Sequence, residues 1–88
     1  AIVIDDGEVG MRTKSPVLVV AFGTTTDAMA MEQAGRRRGL QGRLIPIPRQ
    51  LSAGCGLAWR EPACNGQALR HVLEAERIDF DGLHSMEL

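Results

Sequence analysis

The most constraining feature of this 88-residue chain is an uninterrupted apolar run at residues 17–22, Val-Leu-Val-Val-Ala-Phe. A strand with one face in water alternates apolar and polar residues, whereas a strand buried on both faces is apolar throughout and rich in β-branched residues. We therefore predict a strand from about Pro16 to Phe22 in the centre of a sheet.

A helix is predicted directly after this strand, over about residues 25–38. Thr24 followed by Asp27 resembles the acidic form of a capping box, which marks a helix start. Apolar residues then recur at three-residue spacing on one face, as expected for a helix that packs on a core. These residues are Ala28, Met31 and Ala34.

Both ends of this helix have two compatible interpretations. At its end, Gly39 followed by Leu40 is typical of a left-handed Schellman ending. The Arg36-Arg37-Arg38 triplet complements the negative end of the helix dipole, and the alternative is that it binds an anion. At the start, Gly23-Thr24-Thr25 either caps the helix or holds an anion on its free amide groups.

Two short strands are predicted in the middle of the chain. The first covers about residues 43–47, and because Pro46 cannot donate a ladder hydrogen bond, this strand belongs at a sheet edge. The second covers about residues 57–60, where Leu57 and Trp59 share a face.

The sequence of the last third of the chain predicts a helix followed by a closing strand. Pro62 marks the end of the preceding strand and fits the beginning of a helix, which covers about residues 63–76. The core-facing positions of this helix are spaced i, i+3, i+4. These positions are Leu69, Val72 and Leu73. The strand covers about residues 80–86, with an irregularity at Gly82.

The predicted order β-α-β-β-α-β is that of the α+β ferredoxin-like sandwich, a four-stranded antiparallel sheet with two helices on one face. In that fold the first and third strands are central and the second is an edge, which agrees with the apolar first strand and the proline-containing second strand. Residues 16–88 are predicted to form this single domain. Residues 1–15 are either an N-terminal arm or an extra edge strand.

The loop before the third strand carries Cys55 between Gly54 and Gly56. Flanking glycines remove neighbouring side chains and permit unusual backbone angles, so the thiol can stand exposed on a tight turn. In the predicted fold this loop lies at the same end of the sheet as Gly23 to Thr26. The free amides of that turn, and the charge of Arg49, would favour the thiolate. The alternative is that the glycines only shape a turn and Cys55 is a small buried apolar residue.

The second cysteine, Cys64, is expected at the far end of the third strand. That separation exceeds the roughly 7 Å Cα distance that a disulfide with Cys55 permits, so we expect two free thiols. No C-x-x-C pair is present, and His71 and His84 stand at no familiar ligand spacing from either cysteine. We therefore predict no metal site and no cofactor.

Composition argues against two classes of partner. Ten Lys and Arg oppose eleven Asp and Glu, and the chain has one Trp, two Phe and no Tyr. Nucleic-acid binding needs a basic excess or stacking aromatic residues, so we expect none. No apolar run approaches the roughly 20 residues that span a bilayer, and the N-terminal segment does not have the pattern of a signal peptide. We expect a cytoplasmic protein without a membrane partner.

The segment from Arg43 to Arg60 reads Arg-Leu-Ile-Pro-Ile-Pro-Arg-x-Leu-Ser-x-Gly-Cys-Gly-Leu-Ala-x-Arg. It resembles the Putative Se/S carrier protein-like family, catalogued as a domain of unknown function. The similarity covers about residues 16–86, although Trp59 stands where a smaller apolar residue is usual. Around the first helix, further similar positions are Phe22, Thr24 or Thr25, Ala28 and Glu32.

The resemblance implies a small bacterial domain in which Cys55 carries sulfur or selenium as a persulfide or perselenide. Such a protein is a carrier rather than an enzyme, and its partners are donor and acceptor enzymes such as a cysteine desulfurase. Gly54 and Gly56 then belong to the carrier site. The supporting residues are predicted to be Gly23, Thr24, Thr25, Arg49, Ser52 and Arg60.

Two other hypotheses remain open because the same fold hosts many functions. One is a small-molecule-binding regulatory module in which the threonine turn binds an anion and the cysteine is incidental. The other is a homodimeric scaffold domain that associates through the sheet face without helices.

Overall fold

A computed structural model describes residues 14–51 and 54–88 of the chain. The elements are β1 (Pro16–Ala21), α1 (Thr25–Arg37), β2 (Arg43–Pro46), β3 (Leu57–Pro62), a 3-10 helix (Ala63–Asn65), α2 (Gly66–Ala75) and β4 (Gly82–Glu87). The sheet order is β2-β3-β1-β4, and all neighbouring strands are antiparallel. The α+β ferredoxin-like prediction is confirmed. The predicted arm or edge strand at residues 1–15 lies almost wholly outside the described residues, as does Ser52.

Strand β1 lies in the centre, as its unbroken apolar run predicts. It pairs with β3 on one side and with β4 on the other, so that Val20 lies between Trp59 and Leu83. Every residue from Val17 to Phe22 is at most 7% exposed. Strand β2 is an edge strand, as its proline requires.

The alternate side chains of β1 enter two separate apolar clusters. Leu18, Val20 and Phe22 pack under the two helices in the larger cluster. Val17 and Val19 belong to a smaller cluster on the opposite face of the sheet, which we call the second face. Its other members are Ala58 and, around it, Ile45, Ile47, Leu51, Met86 and Leu88.

The predicted ends of α1 are confirmed. At the start, Thr24 Oγ1 accepts a hydrogen bond from the Asp27 amide at 3.1 Å and donates to Asp27 Oδ2 at 2.8 Å. At the other end, Gly39 has a φ of 74° and the Leu40 amide donates to the Gly35 carbonyl at 2.9 Å. The bond from Leu40 to Gly35 is the 6→1 hydrogen bond of a Schellman ending.

The boundaries around β3 and α2 differ from the prediction. Strand β3 continues two residues beyond the predicted Arg60 to Pro62, which pairs with Val17. Pro62 therefore marks the end of the strand, as predicted, but it does not begin α2. A 3-10 turn follows, and α2 begins only at Gly66. A Cβ at Gly66 would lie 2.7 Å from Leu18 Cδ1, so the absence of a side chain allows this close packing on the sheet.

The closing strand begins later than predicted. It starts at Gly82, because β1 ends at the opposite residue, Ala21, and offers no partner beyond it. The predicted irregularity inside the strand is therefore absent, since Gly82 is its first residue. Phe80 precedes the strand and is 42% exposed.

Trp59 of β3 explains why α1 contains a glycine. A Cβ at Gly35 would lie 2.7 Å from Trp59 Cη2, so the indole ring packs directly against the helix backbone at this residue. Trp59 is 2% exposed, and its ring occupies the space between the sheet and α1.

A buried carboxylate, Glu61, joins β3 to the segment before β2. Glu61 is 0% exposed, and its two oxygens accept four hydrogen bonds. The donors are the Gln41 amide at 3.1 Å, the Gly42 amide at 3.1 Å, Trp59 Nε1 at 2.7 Å and Asn65 Nδ2 at 2.6 Å. Both oxygens are thus occupied without a cationic partner, which is how a buried polar group avoids a large desolvation cost.

The arginine triplet connects the two helices. Arg37 Nη2 and Arg38 Nε donate to the two oxygens of Glu76, at 2.8 Å and 2.7 Å. Glu76 is the residue that ends α2. Arg36 lies 3.8 Å from Glu32, one helical turn away. Each arginine therefore has a carboxylate partner within the protein, which favours a structural role over anion binding.

We predict that Glu76→Gln lowers the free energy of unfolding at neutral pH and that this effect fades in acid. The hydrogen bond from Arg38, aided by the charges of Arg37 and Arg38, holds the pKa of the Glu76 carboxyl below its usual 4.5, against the opposing effect of desolvation. A lowered folded-state pKa stabilises the protein above the unfolded pKa, and this contribution is lost as pH falls through the folded pKa.

The measurement is urea unfolding of both proteins at a series of pH values from 7 downward. Glu74→Gln is the control, because Glu74 is exposed on the same helix and forms no ion pair with a described residue. A difference between wild type and Glu76→Gln that stays constant into strong acid would contradict the prediction.

Candidate functional site

The Cys55 loop lies at the end of the sheet where β1 leads into α1. The loop connects β2 to β3 and closes through a hydrogen bond from the Ile47 amide to the Gly56 carbonyl at 2.9 Å. A Cβ at Gly54 would lie 2.5 Å from the Gly23 carbonyl oxygen. The loop therefore packs against the Gly23 turn, as the fold geometry predicts.

The two glycines beside Cys55 serve different structural purposes. Gly56 has a φ of 75°, the left-handed region that glycine adopts without strain. Gly54 is needed for the close approach to the Gly23 backbone. Both glycines are exposed, so no side chain shields Cys55 from either neighbouring position.

The Cys55 thiol is less exposed than predicted, and neighbouring groups hold its sulfur in place. Its side chain is partly buried and packs against the larger apolar cluster. The Leu57 amide donates to Cys55 Sγ at 3.4 Å, and Sγ lies 3.7 Å from the Leu57 carbonyl oxygen. A thiol can donate to that carbonyl, whereas a thiolate can only accept from the amide. One residue thus contacts the sulfur in both protonation states.

Among the described residues, the Cys55 sulfur forms hydrogen bonds with Leu57 and with no amide group of α1. The Asp27 amide bonds to the Thr24 side chain, and the sulfur bonds to Leu57. On the other side of the turn, a Cβ at Gly23 would lie 2.9 Å from Asp81 Oδ1. The Asp81 carboxylate therefore lies beside this turn, where its negative charge opposes the binding of an anion. Thr25 is exposed in the first turn of α1.

Sequence reasoning did not identify Leu57 or Asp81. The Cys-Gly-Leu spacing contains a signal for Leu57, because a side-chain acceptor commonly bonds the amide two residues later in a turn. Asp81 had no comparable signal, since it lies 58 positions from Gly23 in the chain and approaches it only through the pairing of β4 with β1.

The other predicted supporting residues are dispersed. Arg49 is exposed on the same loop, in a turn closed by the Leu51 amide and the Pro48 carbonyl at 3.0 Å. Arg60 lies opposite Val19 on the second face of the sheet. It is three residues beyond Leu57, about 10 Å along the strand. The structure therefore does not bring Arg60 to the Cys55 sulfur.

The second thiol lies far from the first. Cys64 is exposed in the 3-10 helix that follows β3, whereas Cys55 precedes β3, so the length of the strand, about 20 Å, separates them. Both cysteines are free. No cluster of three or more His, Cys, Asp or Glu residues among those described could hold a metal ion.

Comparison with known proteins confirms the family that the motif around Cys55 indicates. The family model described as "Putative Se/S carrier protein-like" matches residues 18–85. No curated protein and no solved structure matched the chain. Across the described ranges, no helix combines the length and apolar character needed to cross a membrane.

Proposed function

Because the chain belongs to the Putative Se/S carrier protein-like family, we propose that Cys55 carries one sulfur or selenium atom between a donor and an acceptor protein. The observation that carries this proposal is the contact of Cys55 Sγ with the Leu57 amide at 3.4 Å, in a loop without flanking side chains. The proposal places the carrier in a reducing bacterial cytoplasm, where isolated thiols remain reduced.

Loading requires a nucleophilic thiolate and a donor persulfide. The Cys55 thiolate attacks the terminal sulfur of the donor's S–SH group, a new S–S bond forms, and the donor's S–S bond breaks. The donor leaves as a thiolate, and the transferred atom keeps its proton and its oxidation state. Unloading repeats the same exchange with an acceptor thiolate, so no external oxidant is needed. A perselenide is transferred by the same sequence.

The Leu57 backbone suits each stage of this cycle. Its amide donates to the thiolate, which lowers the cost of the charge. After loading, Sγ becomes the inner sulfur of the persulfide and has no proton for the Leu57 carbonyl. The amide contact can persist, so the inner sulfur stays anchored while the outer atom is transferred.

Partial burial and open flanks together suit a carrier. Packing against the apolar cluster limits the directions from which water and small thiols reach the inner sulfur of Cys55. The exposed backbone of Gly54 and Gly56 leaves space for a partner's thiol to approach in line with the S–S bond. We propose that the docking partners are a cysteine desulfurase type of donor and a thiol-containing acceptor.

The test is intact-mass analysis after incubation with a cysteine desulfurase and cysteine. Wild-type protein is expected to gain the mass of one sulfur atom and to lose it on reduction. Cys64→Ser is the matched control, because it removes the more exposed thiol and leaves the loop intact, and it should load like wild type. Cys55→Ser should not load.

Two results would contradict the proposal. One is equal loading of Cys55→Ser and wild type, which would place the acceptor at Cys64. The other is the absence of loading from both persulfide and perselenide donors in a protein whose thiols are shown to be free. Circular dichroism of each variant confirms that the fold is retained.

A further inference from the structure

Two arginines face each other across the β2–β3 pair. Arg43 and Arg60 are direct cross-strand partners, so their side chains leave the same face of the sheet about 5 Å apart at Cβ. Like charges in this position destabilise a sheet. Neither arginine forms an ion pair with a described residue. No described acidic side chain therefore offsets this repulsion.

Both arginines line a cavity of about 350 Å³ on this side of the sheet. The volume is at the lower end of the range for small-molecule sites. Arg43 and Arg60 are the charged residues of its described lining, and polar groups of Ser15 and Gln41 accompany them. Pro16, Val17, Gly42 and Pro62 complete the walls.

The hydrogen bonding of Arg60 is incomplete. Its side chain is partly buried, and Nη2 donates to the main-chain oxygen of Leu88 at 3.3 Å, but the buried Nε has no partner among the described residues. A buried donor without an acceptor costs free energy. Glu61 does not supply the missing acceptor. Its side chain lies on the helix-covered face of the sheet and already accepts four hydrogen bonds.

We propose that Arg43 and Arg60 bind the oxyanion group, a carboxylate or a phosphate, of a small molecule in this cavity. Adjacent guanidinium groups offer paired donors that match the oxygens of such a group, and an anion between them removes their repulsion. The site lies on the opposite face of the sheet from the Cys55 side chain, which packs against the helix-side cluster. It is therefore independent of the carrier function, and neither proposal depends on the other.

The test is titration of the isotope-labelled full chain with inorganic phosphate and, separately, with acetate, followed by amide NMR at constant ionic strength in chloride. We expect saturable shifts at Gly42, Arg43 and Arg60 with at least one probe. Saturation by phosphate alone identifies a phosphate site, and saturation by acetate alone identifies a carboxylate site. Saturation by both probes identifies a general oxyanion site. The absence of saturable shifts with both probes overturns the proposal.

Variants then assign the binding to the arginine pair. Arg43→Gln and Arg60→Gln are each expected to lower the affinity for the probe at least about tenfold, because each removes a charge-assisted hydrogen bond. Arg70→Gln is the control, since Arg70 is exposed on α2 away from the cavity, and it should change the affinity less than about twofold. Equal weakening by all three variants would show a nonspecific charge effect and overturn the site. Arg43 is exposed on an edge strand, so its variant tests the proposal even if Arg60→Gln does not fold.

Discussion

Gly42→Ala is expected to destabilise the protein by about 3 kcal/mol or more, since overpacking against a fixed backbone is costly. The added Cβ would overlap the Arg60 carbonyl oxygen and would lie 2.5 Å from Glu61 Oε1 and 2.7 Å from Trp59 Nε1. The carbonyl belongs to the backbone of β3 and cannot rotate away like the end of a flexible side chain. The start of β2 would have to separate from β3, which also lengthens the Gly42 amide bond to Glu61.

Gly39→Ala is the matched control for this steric effect. Gly39 has a φ of 74° but nothing lies within 4 Å of its added Cβ, so only left-handed backbone strain of about 1–2 kcal/mol is expected. Urea unfolding of both variants gives the comparison. A loss for Gly42→Ala that does not exceed the loss for Gly39→Ala would show that the β2–β3 junction is not rigidly packed.

Glu61→Ala is expected to destabilise the protein by about 3–5 kcal/mol, because a buried donor that loses its acceptor costs about 1–3 kcal/mol and several donors lose theirs together. The substitution leaves four donors without their acceptor, two of them backbone amides. A domain of this length has a total stability of roughly 4–13 kcal/mol. A single substitution on β3 therefore removes a large share of it, and a substantial unfolded fraction is expected at 37 °C.

Two further variants identify the cause of that loss. Glu74→Ala removes an exposed glutamate of α2 and should change the free energy of unfolding by less than about 0.5 kcal/mol. Glu61→Gln keeps the shape but turns one acceptor into a donor, so an intermediate loss is expected. If Glu61→Gln were as stable as wild type, the hydrogen bonds to the replaced oxygen would contribute little to stability. The effect of Glu61→Ala would then come from packing and from the hydrogen bonds to the remaining oxygen.

The sequence predicted those parts of the fold that depend on neighbours in the chain. The apolar run of β1, the Thr24 cap and the Gly39 ending of α1 each depend on residues within a few positions. The edge position of β2 follows from the chemistry of one proline. These local signals agree with one another, and together they allow only a few topologies.

The errors occurred where distant residues decide the structure. Pro62 is a common first residue of a helix, but pairing with Val17 keeps it in β3. The role of Glu61 depends on Gln41, 20 positions away, and no periodicity in either segment reveals it. The close packing of Gly35 under Trp59 is likewise visible only in three dimensions.

The candidate site was predicted in part for the same reason. The approach of the Cys55 loop to Gly23 follows from topology and is present in the structure. Which amide contacts the sulfur depends on the local path of the backbone, and the structure gives Leu57. The involvement of Cys55 in sulfur or selenium transfer remains a prediction for the loading experiment.

The central position of β1 has a consequence during synthesis on the ribosome. Its two partners are β3 and β4, and β4 is the last of the described elements. At about 5–20 residues per second, β4 is translated roughly 3–13 s after β1. Throughout that interval the most apolar strand has an unpaired edge, although α1 can already form beside it. We expect chaperones that bind extended apolar segments to recognise the nascent chain during that interval, until Gly82–Glu87 pairs with β1.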